Sequence, residues 1–261
     1  MSDRADAPAR DLAAGAMRGG ALFFGALCLL PFVAVAVAAM LGSLDSLRTL
    51  ADTVLWRYSA TTLALSVIVA AGTAAIGTGA AWLVTMCRFP GVRMLEIGLA
   101  LPLAFPAYVL GYAYTDFLDH AGAVQTALRE LTGWGPRDYW FPEVRSLPGA
   151  AAMLVLVLYP YVYLLARAAF LQQSATAHLA ARALGAGPFG AFLRVSLPMA
   201  RPAIAGRVLL AVMETLADYG TVSYFGVQTF STGIYTSWFS LADRAAAAQL
   251  ALCLLAFALF L

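Results

Sequence analysis

Residues 149–170 read GAAAMLVLVLYPYVYLLARAAF, an apolar run whose single charge is Arg167. An α-helix rises ~1.5 Å per residue and the hydrocarbon core of a bilayer is ~30 Å thick, so about 20 such residues cross it. This run is long enough. Five others meet or nearly meet the same length: Gly20 to Leu41, Thr61 to Cys87, Met94 to Phe117, Ala203 to Phe225 and Ala245 to Leu261. The pattern predicts an all-α membrane protein of about six transmembrane helices.

Composition agrees. Hydrophobic residues make up 62% of the chain and charged ones only 11%, with a mean hydropathy of +0.81; soluble domains carry about a quarter charged residues. A net charge of +2, with no basic face, gives no support to nucleic-acid binding. All the basic residues are arginine and no G-x-x-x-x-G-K-[ST] loop is present, so nucleotide hydrolysis would have to come from another polypeptide. Cys28, Cys87 and Cys253 lie in or at the end of apolar runs, where a thiol behaves as a small hydrophobe, and suggest neither disulfides nor a zinc site. His120 and His178 fall in loops on opposite sides, which leaves no Ser/His or metal constellation for an intramembrane hydrolase.

Arginine placement sets the expected orientation, because cytoplasmic loops near span ends are enriched in Lys and Arg. From Val144 to Met213 the chain holds Arg145, Arg167, Arg182, Arg194, Arg201 and Arg207 and no Asp or Glu, and all but Arg145 cluster around the connection between the fourth and fifth runs. That connection is expected in the cytoplasm, with the Arg88 to Arg93 turn and Arg4, Arg10 and Arg18. Asp116, Asp119, Glu130, Asp138 and Glu143 are expected outside, and both termini inside. The domain reading is a cytoplasmic segment over 1–19, without a cleavable signal, and a membrane domain over 20–261 with a cytoplasmic loop at about 171–202. The last run reaches Leu261 without a polar flank, the pattern expected of a partial polypeptide. The external stretch from Asp119 to Pro148 carries Trp134, Tyr139, Trp140 and Phe141, which suit either an interfacial aromatic belt or a docking surface.

Residues 172–202, QQSATAHLAARALGAGPFGAFLRVSLPMARP, are more specific. Ala180, Ala181 and Gly185, then after nine residues Val195, Leu197 and Pro198, resemble the EAA loop of ABC importer permeases, E-A-A-x3-G-x9-I-x-L-P. Leu179 stands where the family has glutamate, and Val195 replaces isoleucine. The resemblance implies a type I importer bundle in which a short coupling helix, here Leu179 to Pro188, docks on a cytoplasmic ABC ATPase subunit that binds ATP and Mg. It implies no catalysis by this chain. Ala177, Ala180, Ala181 and Ala183 favour such a helix and keep its surface low; Gly185, Gly187 and Pro188 are expected to end it.

Two further stretches, LPLAFPAYVLGYAYTDF at 101–117 and METLADYGTVSYFGVQTFSTGIY at 213–235, look like segments of bacterial ferric-iron permeases of the inner membrane. Those proteins often fuse two halves, each with its own EAA loop. This chain has one, so the resemblance implies an N-terminal half or a subunit that pairs with a second permease half, served by a periplasmic iron-binding protein and transporting ferric iron (Fe3+). Glu214 and Asp218, four residues apart, are expected on one face of the fifth span near Thr215, Tyr219 and Thr221. With Tyr108 and Tyr112 they form a candidate oxygen-rich pathway for a hard cation; alternatively Glu214 pairs with Arg207 or bonds across a helix interface. Pro102, Pro106 and Pro160 are expected to kink spans, and Gly72, Gly77 and Gly79 to allow close helix contact. The other functions weighed are thiamine, polyamine, sulfate or phosphonate importers, and a secondary transporter, for which no paired broken helices in an inverted repeat are evident.

Overall fold

The computed structural model describes residues 7–43, 48–136, 138–173, 180, 181 and 183–261, with side chains from Met17 onward. Every regular element among them is helical. In chain order they are α1 (Ala7–Met40), α2 (Trp56–Met86), α3 (Val92–Gly98), α4 (Ala107–Leu118), α5 (Ala123–Thr132), α6 (Leu147–Gln172), α7 (Pro188–Ala217), α8 (Gly220–Tyr224), α9 (Phe230–Tyr235) and α10 (Arg244–Phe260). Four helical stretches are long and apolar enough to cross a membrane, namely Met17–Met40, Arg48–Met86, α6 and α7. The third apolar run is helical too, but it bends by 105° between residues 92–104 and 107–132, and α10, at 17 residues, is shorter than the others.

Two compact units are present. The larger, Val54–Gly233, is built around α6. Two thirds of the apolar window of α6 is buried (67%), against none of that of α1 (0%), which makes α6 the central post of this unit and leaves α1 a bare apolar rod within its own unit. Ser146 sets the start of α6, its hydroxyl accepting the Gly149 N–H at 3.2 Å, with Leu147 and Pro148 filling the first turn, where a missing N–H costs nothing. Leu154 and Leu158 of α6 pack with Leu65 and Val69 of α2, Ala211 of α7, and Val222 and Phe225. One end of α6 carries a second cluster, in which Tyr163, Ala166 and Phe170 meet Ala81, Phe192, Ala200 and Ile204.

Small residues set how close α2 comes. At Gly77 an added Cβ would lie 2.8 Å from the Tyr159 carbonyl oxygen and 2.9 Å from the Tyr163 amide nitrogen, so the two backbones touch there. In the smaller unit α1 packs on α10, and the buried Gln249 donates to the Ala39 carbonyl at 3.3 Å.

Candidate functional site

The expected kinks have different outcomes. Pro160 lies within α6 without ending it. Between α3 and α4 the chain passes through a 3-10 turn (Leu101–Ala104), becomes extended at Phe105 (φ −119°, ψ 139°), and restarts as α4 after Pro106. Proline lacks an N–H and forces the preceding residue out of the helical region, which is why the break falls here. Among the described residues the carbonyls of Leu103, Ala104 and Phe105 accept no hydrogen bond.

The break lines a cavity of about 400 Å3 together with Val157, Leu158 and Tyr161 of α6 and Glu214 of α7. Glu214 is exposed to it, and among the described residues no arginine forms an ion pair with Glu214, so the expected Arg207 partner is not its partner. Asp218 does not line the cavity, although it lies within electrostatic reach of Glu214. α7 ends at Ala217 and Asp218 is extended (φ −67°, ψ 125°), so the two carboxylates do not share a helical face as the four-residue spacing implied. Asp218 instead caps α8: one carboxylate oxygen accepts the Val222 N–H at 3.0 Å and the other the Thr221 hydroxyl at 3.0 Å. Its own carbonyl takes the Ser231 hydroxyl at 2.7 Å. Tyr219 follows in the gap between α7 and α8.

Tyr108 and Tyr112 of α4 are each about half exposed, with ring centroids 6.3 Å apart. They do stand together, but in a row the sequence did not foresee. The ring of Tyr112 lies 4.1 Å from that of Tyr224 in α8, and the Arg145 guanidinium sits 5.0 Å from the Tyr224 ring centroid, with Asp119 3.8 Å from Arg145. Gly220 lets α4 and α8 meet: a Cβ there would reach 3.0 Å from the Tyr108 Cβ. No group of three or more His, Cys, Asp or Glu side chains that could hold a metal exists among the described residues.

Of the EAA-like residues, Leu179 lies outside the described residues. Ala180 and Ala181 are helical, and Gly185 takes φ +87° with the Ala186 N–H donating 3.1 Å to the Ala181 carbonyl, a left-handed helix stop. Pro188 does not end that turn; it opens α7, at the position where proline is best tolerated. Val195, Leu197 and Pro198 therefore stand, half-buried, in the first turns of a long helix rather than in a loop. A π-turn over Phe192–Ser196 interrupts its hydrogen bonding, and the Gln173 amide donates to the Ser196 carbonyl at 2.8 Å. Phe192 anchors this region, 5.1 Å from Trp82 of α2 and 5.9 Å from Phe170 of α6, while Phe189 sits 6.1 Å from Trp82. Leu184, 89% exposed at the end of the alanine turn, is the apolar knob of this surface. The spacing pattern missed it because residue 184 falls in the unspecified x3 stretch between Ala181 and Gly185.

Comparison with known proteins decides the family. The model of the binding-protein-dependent transport system inner membrane component matches residues 74–261. The chain belongs to this family. It is similar to the Fe(3+)-transport system permease protein FbpB 2 of Haemophilus influenzae, 27% identical over 231 residues, or 88% of this chain and 41% of that protein. It also resembles the molybdenum transport system permease protein ModB of Escherichia coli, 30% identical over 56% of this chain and 60% of that one, and the sulfate transport system permease protein CysW of the same species, 29% identical over 78% and 68%. The chain thus spans 41% and 60% of the lengths of the first two. Among solved structures, a chain of a bacterial alginate ABC transporter, in complex with an alginate pentasaccharide-bound periplasmic protein, superposes with a TM-score of 0.76 at 18% identity, over 96% of this chain and 94% of that one. The importer-permease bundle expected from the sequence is the fold observed.

Proposed function

We propose that this chain is the membrane-embedded subunit of an ATP-driven importer for ferric iron. A periplasmic binding protein delivers the ion, ATP and Mg act on separate cytoplasmic ABC ATPase subunits, and a second permease half, fused or separate, completes the path through the lipid. The chain lies in the inner membrane with its N-terminus and the segment around 171–202 in the cytoplasm. The alanine turn with its exposed Leu184 is the surface offered to the ATPase, and α7, which starts at Pro188, three residues beyond Gly185, is the element that moves with it.

The observation that favours a cation over an oxyanion is Glu214: a carboxylate facing a cavity with no cationic residue in its lining suits a positively charged cargo and repels sulfate or molybdate. The chain's similarity to FbpB 2, over most of its length, supports the same choice. An oxyanion importer is the second reading, favoured by the N-terminal amides of α4 that begin at the same cavity and by the similarity to ModB and CysW.

Proteoliposomes holding the full system test the reading. ATP-dependent uptake of labelled iron, absent without the ATPase and absent for labelled sulfate and molybdate, is the expected result. Uptake of an oxyanion instead, or transport without any ATPase, refutes it.

A further inference from the structure

We propose that Glu214, Tyr161 and the backbone from Leu103 to Phe105, where the helix is interrupted, form a holding site for one hard cation midway through the membrane. The proposal rests on the importer reading and adds a place where the cargo pauses.

Depth comes first. α6 runs from Leu147 to Gln172, and the residues it gives the cavity, Val157, Leu158 and Tyr161, lie at its middle. At ~1.5 Å per residue they are ~15–21 Å from the start of α6, near the centre of a ~30 Å core. A carboxylate at that depth costs ~2.5–3.5 kcal/mol on insertion scales and is retained where it meets water, a partner or a substrate. No arginine or histidine lines the cavity.

The other donors follow from the helix break. A helix interrupted in the membrane leaves carbonyls unpaired, and such backbone is tolerated where it borders a cavity; discontinuous helices in other transporters use those carbonyls to coordinate cations. Leu103, Ala104 and Phe105 border this cavity and their carbonyls have no hydrogen-bond partner among the described residues. Tyr161 adds a phenolic oxygen. One carboxylate, one phenol and neutral carbonyls are all oxygen donors, the set preferred by hard cations.

The modest charge of the set also fits transport. Three or more acidic side chains would chelate a trivalent ion too tightly to release it, and no such cluster exists among the described residues. A conducting site binds strongly enough to admit the ion and weakly enough to pass it on. Asp218 is not a member, since its oxygens are committed to α8.

Terbium, a hard trivalent ion whose luminescence is excited through nearby tyrosine, is the probe, used on the purified full chain in detergent. The wild-type chain is expected to give one saturable luminescent site that ferric nitrilotriacetate displaces. Glu214→Gln should weaken binding about tenfold or more, Glu214→Asp should retain it, and Tyr161→Phe should weaken it less than Glu214→Gln. Glu130→Gln, outside the cavity, should change nothing. Unaltered terbium affinity in Glu214→Gln, or displacement by molybdate in place of iron, overturns the proposal. If Glu214→Gln does not fold, undiminished affinity and signal in Tyr161→Phe do the same. Iron uptake by the complete system together with Glu214-independent terbium binding would remove the holding site and leave the importer standing. Glu214-dependent terbium binding without iron uptake would do the reverse.

Discussion

Gly72, Gly77 and Gly79 look alike in sequence, yet the structure predicts three different responses to alanine. At Gly79 a Cβ meets nothing within 4 Å. At Gly72 it meets the side chain of Val155, at 2.6 and 3.0 Å from its two methyls. At Gly77 it meets the Val162 Cβ at 2.7 Å and backbone on α6, 2.8 Å from the Tyr159 oxygen and 2.9 Å from the Tyr163 nitrogen. Ordinary contact begins at 3.4 Å, so α2 and α6 would have to part by roughly 3.4 − 2.7 = 0.7 Å at their tightest point. Overpacking of this kind costs about 1–3 kcal/mol, against which any helix gains up to ~1 kcal/mol from Gly→Ala. That gain is common to all three sites, so differences between variants isolate the steric cost. Gly79→Ala should be neutral or stabilising by up to ~1 kcal/mol, and Gly77→Ala about 1–3 kcal/mol less stable than Gly79→Ala.

A second substitution separates the two strained sites. Val155→Ala removes the methyls that Gly72→Ala would strike, so the double variant should recover much of the loss from the glycine change. Val162→Ala should not rescue Gly77→Ala, because alanine keeps the Val162 Cβ that lies 2.7 Å away and the other obstructing atoms, at Tyr159 and Tyr163, are main chain. Denaturation of the detergent-solubilised protein, followed by circular dichroism, gives the ranking and both double-mutant couplings. Equal losses at all three glycines, or full rescue of Gly77→Ala by Val162→Ala, would refute the backbone-contact account.

Three further predictions concern the working parts. Asp218→Asn keeps an oxygen that can accept the Val222 N–H and should be nearly silent in thermal stability and iron uptake, whereas Asp218→Ala should cost ~0.5–2 kcal/mol; equal loss from both would restore a charge role to Asp218. The guanidinium of Arg167 contacts the Glu96 carboxylate and ties α3 to α6; both side chains are about one third exposed, so Glu96→Gln should cost only ~1 kcal/mol or less, and exchanging the two charges should recover part of it in the same melt. Trp82→Ala, which removes the ring held against Phe189 and Phe192, should leave ATP hydrolysis by the assembled complex near normal while lowering transport per ATP severalfold; parallel loss of both activities would assign Trp82 to folding alone.

What the sequence discloses and what it hides follow physical lines. The membrane runs were legible because crossing a bilayer demands length and apolarity, and both are properties of composition. Breaks inside those runs were not, since Pro102, Pro106 and Pro160 read alike within apolar sequence, yet packing spares the helix at Pro160 while Pro106 breaks the chain at Phe105. The pairing of Glu214 with Asp218 failed because helical spacing was extended past the end of the helix. A signal was present, as an acidic residue just ahead of Gly220, Thr221 and Val222 is the type that accepts hydrogen bonds from the start of a new helix. The row of Tyr112, Tyr224 and Arg145 joins residues distant in the chain and no local pattern encodes it. In the EAA-like segment the glycine stop at 185 was legible from residue type, while proline at 188 was misassigned, because the same residue that forbids continuing a helix is also the best one to begin the next.

That last point bears on mechanism. Because Pro188 opens α7 rather than closing the alanine turn, one helix of 30 residues, ~45 Å at ~1.5 Å per residue, joins the exposed turn to the Glu214 cavity. A stiff helix carries a push along its axis, so displacement at Pro188 reaches Glu214 unless a joint absorbs it. The joints available are the π-turn at Phe192–Ser196 and Pro202, both within the first half of α7. The aromatic contacts of Phe192 with Trp82 and Phe170 brace the first of these against α2 and α6. Under the proposed coupling role, movement of the turn would tilt the distal half of α7 about that brace and shift the carboxylate near its far end against the middle of α6. Opening and closing of the cavity would in this way follow from where one proline sits and four aromatic rings meet.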